Sequence, residues 1–170
     1  ASGVSFSDDT IFGAGNTTVF VRGKGTVIYN GSTDYSGLIT SPSANFKVNG
    51  TVQSATVYIG VCAPELGGTL SGSGTVAGSV YVLEGTIAPD EGATLTLGSL
   101  VLNSASPPYG PSVLRPTINT SGTSLVAVNG SATLAGTLNI DVDSLTAPGA
   151  YTILTSTGIT GTFDNVTFTG

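Results

Sequence analysis

Apolar and polar residues alternate in short runs along almost the whole chain. The stretch 44–52 places Phe46 and Val48 on one face and Asn45 and Lys47 on the other. Alternation with a period of two is the pattern of a strand with one buried face. No segment repeats its apolar residues every 3.6 positions over two turns, so the pattern predicts strands throughout and essentially no helix.

The clearest runs of alternation also predict which side chains form the core. The residues that we expect to be buried are Leu95, Leu97, Leu100, Leu102, Leu138, Ile140, Val142, Ile153 and Leu154. Truncating such a side chain, as in Ile140→Ala, should cost about 2–5 kcal/mol of stability.

A short phrase of glycine, Ser or Thr, and an apolar residue recurs among these strands. It begins at Gly25, Gly50, Gly68, Gly74, Gly78, Gly85, Gly98, Gly136 and Gly161. Glycine lets the chain turn, and the two residues after it restart a strand. Its recurrence predicts an all-β fold, a right-handed parallel β-helix of about eight coils with about 20 residues in each. Asn-Gly pairs at Asn30, Asn49 and Asn129 are typical of hairpins, which leaves an antiparallel β-sandwich open as the alternative.

Four prolines interrupt the strand pattern between residues 103 and 116. Because proline donates no backbone hydrogen bond, we expect this interval to protrude as a loop from a single domain spanning residues 1–170. Tyr109 lies in the middle of the loop, and Tyr29 and Tyr35 lie near turns. These three tyrosines are the candidate interaction residues, since binding groups are often carried by loops on a rigid scaffold.

Charge is scarce in this chain. Charged residues make up 8% of it, the formal net charge is −6, and only four residues are Lys or Arg. That balance argues against nucleic-acid binding, which needs many basic groups to neutralise phosphates. Hydration of the surface must instead depend on hydroxyl and amide side chains, chiefly those of the 46 Ser and Thr residues.

Candidate chemistry is equally sparse. The absence of histidine excludes Ser-His-Asp catalysis and a His-ligated metal, and no phosphate-binding glycine loop is present, so we predict no catalytic residue and no cofactor. Asp141 and Asp143 lie two apart on one predicted strand, with Asn139 on the same face. These three oxygen donors are a weak candidate for a Ca²⁺ site. Cys62 is the single cysteine and is expected to be a buried thiol.

Four phrases of the sequence, taken in order, resemble the passengers of autotransporters. They are Gly23–Gly37, with its G-x-G-T-hydrophobic strand and its turn; Gly67–Val76 (GGTLSGSGTV); Gly85–Pro89 (GTIAP); and the closing set Leu134–Leu138, Tyr151–Leu154 and Ile159–Phe163. In the third phrase Asp90 stands where the family usually has glycine.

This resemblance implies the C-terminal, autochaperone-like part of a passenger β-helix, at about residues 130–170. It implies a structural and interaction module that supports folding during export and presents an adhesin, secreted or displayed on the surface of a Gram-negative cell. We expect a surface receptor or a glycan as partner, and the chain's own outer-membrane barrel outside this sequence. We also expect a monomer with scope for edge-to-edge association. A β-helical polysaccharide-degrading enzyme, with carboxylates on its side, is the other class to weigh.

Overall fold

The computed structural model describes most of the chain, and every structural statement below refers to that part. The described residues are 4–6, 18–60, 67–106, 109–143 and 147–170. The expectations for Cys62, Pro107 and Pro108 fall outside them.

The described residues form strands and no helix. In chain order the strands are β1 (Val4–Phe6), β2 (Thr18–Phe20), β3 (Thr26–Tyr29), β4 (Ser32–Thr33), β5 (Leu38–Ser41), β6 (Asn45–Val48), β7 (Thr51–Val52), β8 (Thr56–Ile59), β9 (Thr69–Gly72), β10 (Thr75–Val82), β11 (Thr86–Pro89), β12 (Thr94–Leu102), β13 (Val113–Leu114), β14 (Thr117–Asn119), β15 (Gly122–Thr123), β16 (Leu125–Val128), β17 (Ser131–Leu134), β18 (Thr137–Val142), β19 (Leu154–Thr155), β20 (Gly158–Gly161) and β21 (Asn165–Thr169).

The chain passes back and forth between two sheets. The first sheet contains β1, β3, β6, β9, β11, β13, β14, β15, β18 and β21, and the second contains the other described strands. Each return to a sheet adds a strand parallel to the one already there, as when β6 pairs with β3 and β9 with β6. Among the named strands of the described residues, only β14 and β15 pair antiparallel. The all-β prediction is therefore confirmed and the antiparallel sandwich is wrong; the mostly parallel pairing fits a β-helix.

Parallel pairing keeps equivalent residues in register, so inward side chains stack into columns that form the core. In the first sheet one such column is Phe46, Leu70, Ile87, Leu114 and Leu138. In the second sheet another is Ile39, Val57, Val80, Leu100 and Ala132. All ten side chains are buried. The period-two alternation explains this result, because alternate residues of every strand face the same side.

Glycine appears where successive layers touch through their backbones. A Cβ at Gly98 would lie 1.9 Å from the carbonyl oxygen of Ala77, and one at Gly72 would lie 2.1 Å from that of Val48. Gly72 also has a φ of 112°, which other residues rarely adopt. Gly98, which begins one of the recurring phrases, and Gly72 between two of them thus permit close approach to the backbone of the layer before.

The core prediction is confirmed in the middle of the stack and wrong near its last layers. Leu95, Leu97, Leu100, Leu102 and Leu138 are buried. The remaining four are only half-buried, namely Ile140, Val142, Ile153 and Leu154. Their position explains the difference, since no described strand pairs beyond β20 or β21 and the inward groups there stay open: Ile159 is 55%, Val166 54% and Phe168 69% exposed.

Candidate interaction surface

A loop leaves the second sheet after β12 and returns to the first sheet at β13. It covers residues 103–112, which is shorter than the predicted interval 103–116, because Val113 already pairs with β11 and Pro116 is buried. Its neck is closed by Ser112, whose backbone N–H donates to the Asn103 carbonyl at 3.0 Å. The Ser112 hydroxyl oxygen also accepts the Asn103 N–H at 2.7 Å. Because Ser112 is fully buried, the loop stands on a fixed base.

The tip of this loop carries a predicted interaction residue. Ser106 and Tyr109 exchange two backbone hydrogen bonds of 3.1 and 2.7 Å, which hold these two residues side by side. The Tyr109 side chain is 45% exposed. The Tyr109 side chain is therefore open to solvent, while its backbone is hydrogen-bonded to Ser106.

The other two tyrosines proposed from the sequence need correction. Tyr29 is 0% exposed and Tyr35 is 5% exposed, so neither presents its ring to a partner. Tyr29 ends β3 on its inward face, in register with Val48 of β6. Tyr35 fills the bend after β4, where its backbone N–H donates to the Thr33 hydroxyl at 3.1 Å. A position near a turn in the sequence did not mean an outward side chain.

Two tyrosines that the sequence did not single out lie together on the outer face of the second sheet. Tyr58 of β8 and Tyr81 of β10 are register partners in parallel strands. Their rings stack with centroids 4.9 Å apart and planes 15° from parallel. Both are half-buried, while the residues on either side of each, in the same strands, are fully buried. The sequence held one signal for this pair. In each strand a tyrosine lies between two aliphatic residues, so alternation places both tyrosines on the outer face.

The two predicted calcium-binding aspartates line a cavity together. Asp141 and Asp143 border an open cavity of about 300 Å³ with Glu91 and Asn119. Asn119 is engaged there, because its side-chain amide donates to a Glu91 carboxylate oxygen at 2.7 Å. The cavity is acidic, and no basic side chain lines it.

Asn139, the third proposed calcium ligand, does not line that cavity. Its amide oxygen accepts a hydrogen bond from the Thr169 hydroxyl at 3.2 Å. No group of three His, Cys, Asp or Glu residues in the described ranges could hold a metal ion. The structure thus brings together two of the three predicted ligands, and calcium binding stays a prediction from the sequence.

One acidic group beside the loop was not anticipated. Glu84 lies at the short corner between β10 and β11, where an added Cβ on Gly110 would be 3.1 Å from a Glu84 carboxylate oxygen. The other oxygen, Oε2, is shielded from solvent and accepts no hydrogen bond from any described residue. The Leu83-Glu84-Gly85 sequence is that of an ordinary turn, so no pattern marked it.

The remaining features offer little chemistry. Lys47 forms an ion pair of 2.7 Å with Asp90 on the outer side of the first sheet, with both side chains partly exposed. Within the described residues there is no helix with the length and apolar character needed to cross a bilayer.

The described residues define an all-β protein with mostly parallel strands and a loop anchored by Ser112. The chain is 31% identical over 167 residues to the adhesin BmaC autotransporter of Brucella suis biovar 1 (strain 1330), a match that covers 88% of this chain. The chain spans about 4% of the length of that relative. No family model and no solved structure matches the chain. The similarity supports an origin in an autotransporter passenger; it does not test the strand repeats.

Proposed function

We propose that this chain is a stretch of an autotransporter passenger that serves as a structural and interaction module of an adhesin. The observation that carries the proposal is the 31% identity to a protein named as an adhesin autotransporter. A non-enzymatic role agrees with that relative's name and with the absence of histidine from the sequence.

The module is a right-handed parallel β-helix of about eight coils. In support, first-sheet strands begin at residues 26, 45, 69, 86, 113, 137 and 165, so that one layer follows another every 17–28 residues. Right-handedness follows from the general rule for connections between parallel strands. Because each layer contacts only its neighbours, such a stack extends a binding surface away from its point of attachment.

The module is displayed outside a Gram-negative cell, and its residues 130–170 assist folding during export. The support for display is the autotransporter relative, and the support for the folding role is the closing set of phrases in the sequence.

Surface display tests the adhesive role directly. The chain is fused to an autotransporter barrel and expressed in a non-adherent bacterial strain, and attachment to cultured epithelial cells is counted. We expect more attachment than with the barrel alone. A fusion carrying Leu97→Asp, which places a charge in the core, is the matched control and should attach like the barrel. Equal attachment by all three strains would contradict the adhesive role.

A further inference from the structure

We propose that the outer face of the second sheet binds an extended, neutral glycan. This inference rests on the proposed adhesive function and names the class of its ligand. The surface, here called the tyrosine face, consists of the outward residues Thr56, Tyr58, Ser79, Tyr81, Ser99 and Val101.

The tyrosine face is free of charge. No residue in any described strand of the second sheet is Asp, Glu, Lys or Arg. The strands of the first sheet differ, since they include Lys47 and Asp141. Arg22 lies just beyond β2, which is two strands away from the β8 strand of Tyr58, and its guanidinium is 4.6 Å from the centre of the Phe20 ring. A charged ligand would lose its hydration here without gaining an opposite charge, so the face suits a neutral one.

The stacked tyrosines lie on the outer face of the second sheet, and both are half-buried. Each ring stands on the sheet between fully buried neighbours, and the 4.9 Å separation follows the spacing of the strands. Neither hydroxyl forms a hydrogen bond with a described residue. A tyrosine tip both donates and accepts, and the ring edges beside it offer apolar contact. Tyr58 and Tyr81 therefore supply paired polar and apolar contacts at a regular interval.

A row of hydroxyl groups runs beside the tyrosines. Thr56, Ser79 and Ser99 each lie two residues before the outward residue that follows in the same strand. The Ser99 hydroxyl donates to that of Ser79 at 3.1 Å, which leaves Ser99 acceptor capacity and Ser79 its own donor. Sugars carry hydroxyl groups next to apolar C–H surfaces. The hydroxyl row can form hydrogen bonds with the former, and the tyrosine row can contact the latter.

The loop described above borders this face. Val101 continues the tyrosine row, in register with Tyr81, and the loop departs directly after Leu102. The Tyr109 side chain, which this loop carries, is 45% exposed. The tyrosine row and the hydroxyl row both run from strand to strand, at the inter-strand spacing of about 4.8 Å. We therefore place the glycan along the stack, across successive strands.

Glycan binding is tested with the purified 170-residue chain on a printed array of neutral and acidic oligosaccharides. We expect binding to neutral oligosaccharides that is insensitive to salt. The double variant Tyr58→Phe/Tyr81→Phe keeps the stack but removes two hydroxyl groups, and should weaken binding about tenfold. Tyr151→Phe alters an exposed tyrosine elsewhere and should bind like the unmodified chain.

Three results would overturn the inference: no neutral glycan bound, binding confined to acidic glycans, or equal binding by the double variant and the unmodified chain. A protein partner is recognised by attachment to epithelial cells that survives periodate oxidation of their glycans, and that outcome also counts against it. The two proposals fail separately. If the double variant attaches to cells as well as the unmodified chain does, the glycan site is wrong but the adhesive role stands. If the chain binds neutral glycans but does not attach to cells, the adhesive role is wrong but the glycan site stands.

Discussion

Truncation of Leu97 measures how much the stacked core contributes to stability. Leu97 is 0% exposed and lies between its register partners Val76 and Val128. Leu97→Ala removes three carbons, each contributing about 0.8 kcal/mol on burial, so the transfer loss alone is about 2.4 kcal/mol. The layers on both sides limit collapse into the space left, which brings the expected total to about 3–4 kcal/mol.

Ile140→Ala is the matched comparison. Ile140 is half-buried at the open end of the stack, so its truncation leaves no closed cavity and should cost about 1–2 kcal/mol. This value replaces the larger cost expected from the sequence pattern. Both losses are measured by urea unfolding followed by circular dichroism. Equal losses, or a larger loss for Ile140→Ala, would refute the reasoning from burial.

Three further outcomes are expected. Gly98→Ala should destabilise the chain in urea unfolding, because the added methyl group would meet the Ala77 backbone carbonyl. Gly158→Ala is the control and should be nearly neutral, since the space around its Cβ is open. Equal effects would contradict the close backbone contact at Gly98. Ser112→Ala should lower the free energy of unfolding by about 1–3 kcal/mol and speed proteolysis of the loop, because the Asn103 backbone N–H loses its partner. An unchanged rate of cleavage would contradict the role of Ser112 in closing the base of the loop. Amide hydrogen exchange in the isolated chain should be slowest in residues 69–102, where side chains are buried, and fastest in residues 154–169, where most are exposed. The opposite order would contradict the link between burial and local stability.

Local alternation predicted the strands and much of the core, because the sequence of each strand alone determines which of its side chains face inward. Leu95 and Leu97 follow that rule and are buried. Ile140 has the same alternation but is half-buried, because it borders an open cavity under the exposed Phe168 of the last strand. Periodicity gives the side that a residue faces and says nothing about the number of layers.

The candidate surface was harder to predict because it depends on register between distant strands. Tyr58 and Tyr81 become neighbours only when β8 and β10 pair, and the intervals between layers vary from 17 to 28 residues. The four prolines predicted a loop at 103–116, and no named strand of the described residues lies between Leu102 and Val113; binding by Tyr109 stays a prediction. Tyr29 was misjudged, because its place at the end of a strand resembles that of an outward residue at a turn.

Cysteine cross-linking across β10 and β12 tests the parallel stack most directly. In a Cys62→Ser background, the register pairs are Thr75 with Thr96 and Tyr81 with Val101. Parallel strands about 4.8 Å apart place both pairs within disulfide range, so both double-cysteine variants should cross-link rapidly on mild oxidation. Antiparallel strands would instead cross-link position 75 with 101 and position 81 with 96. Rapid cross-linking of the second set, and not of the first, would contradict the account.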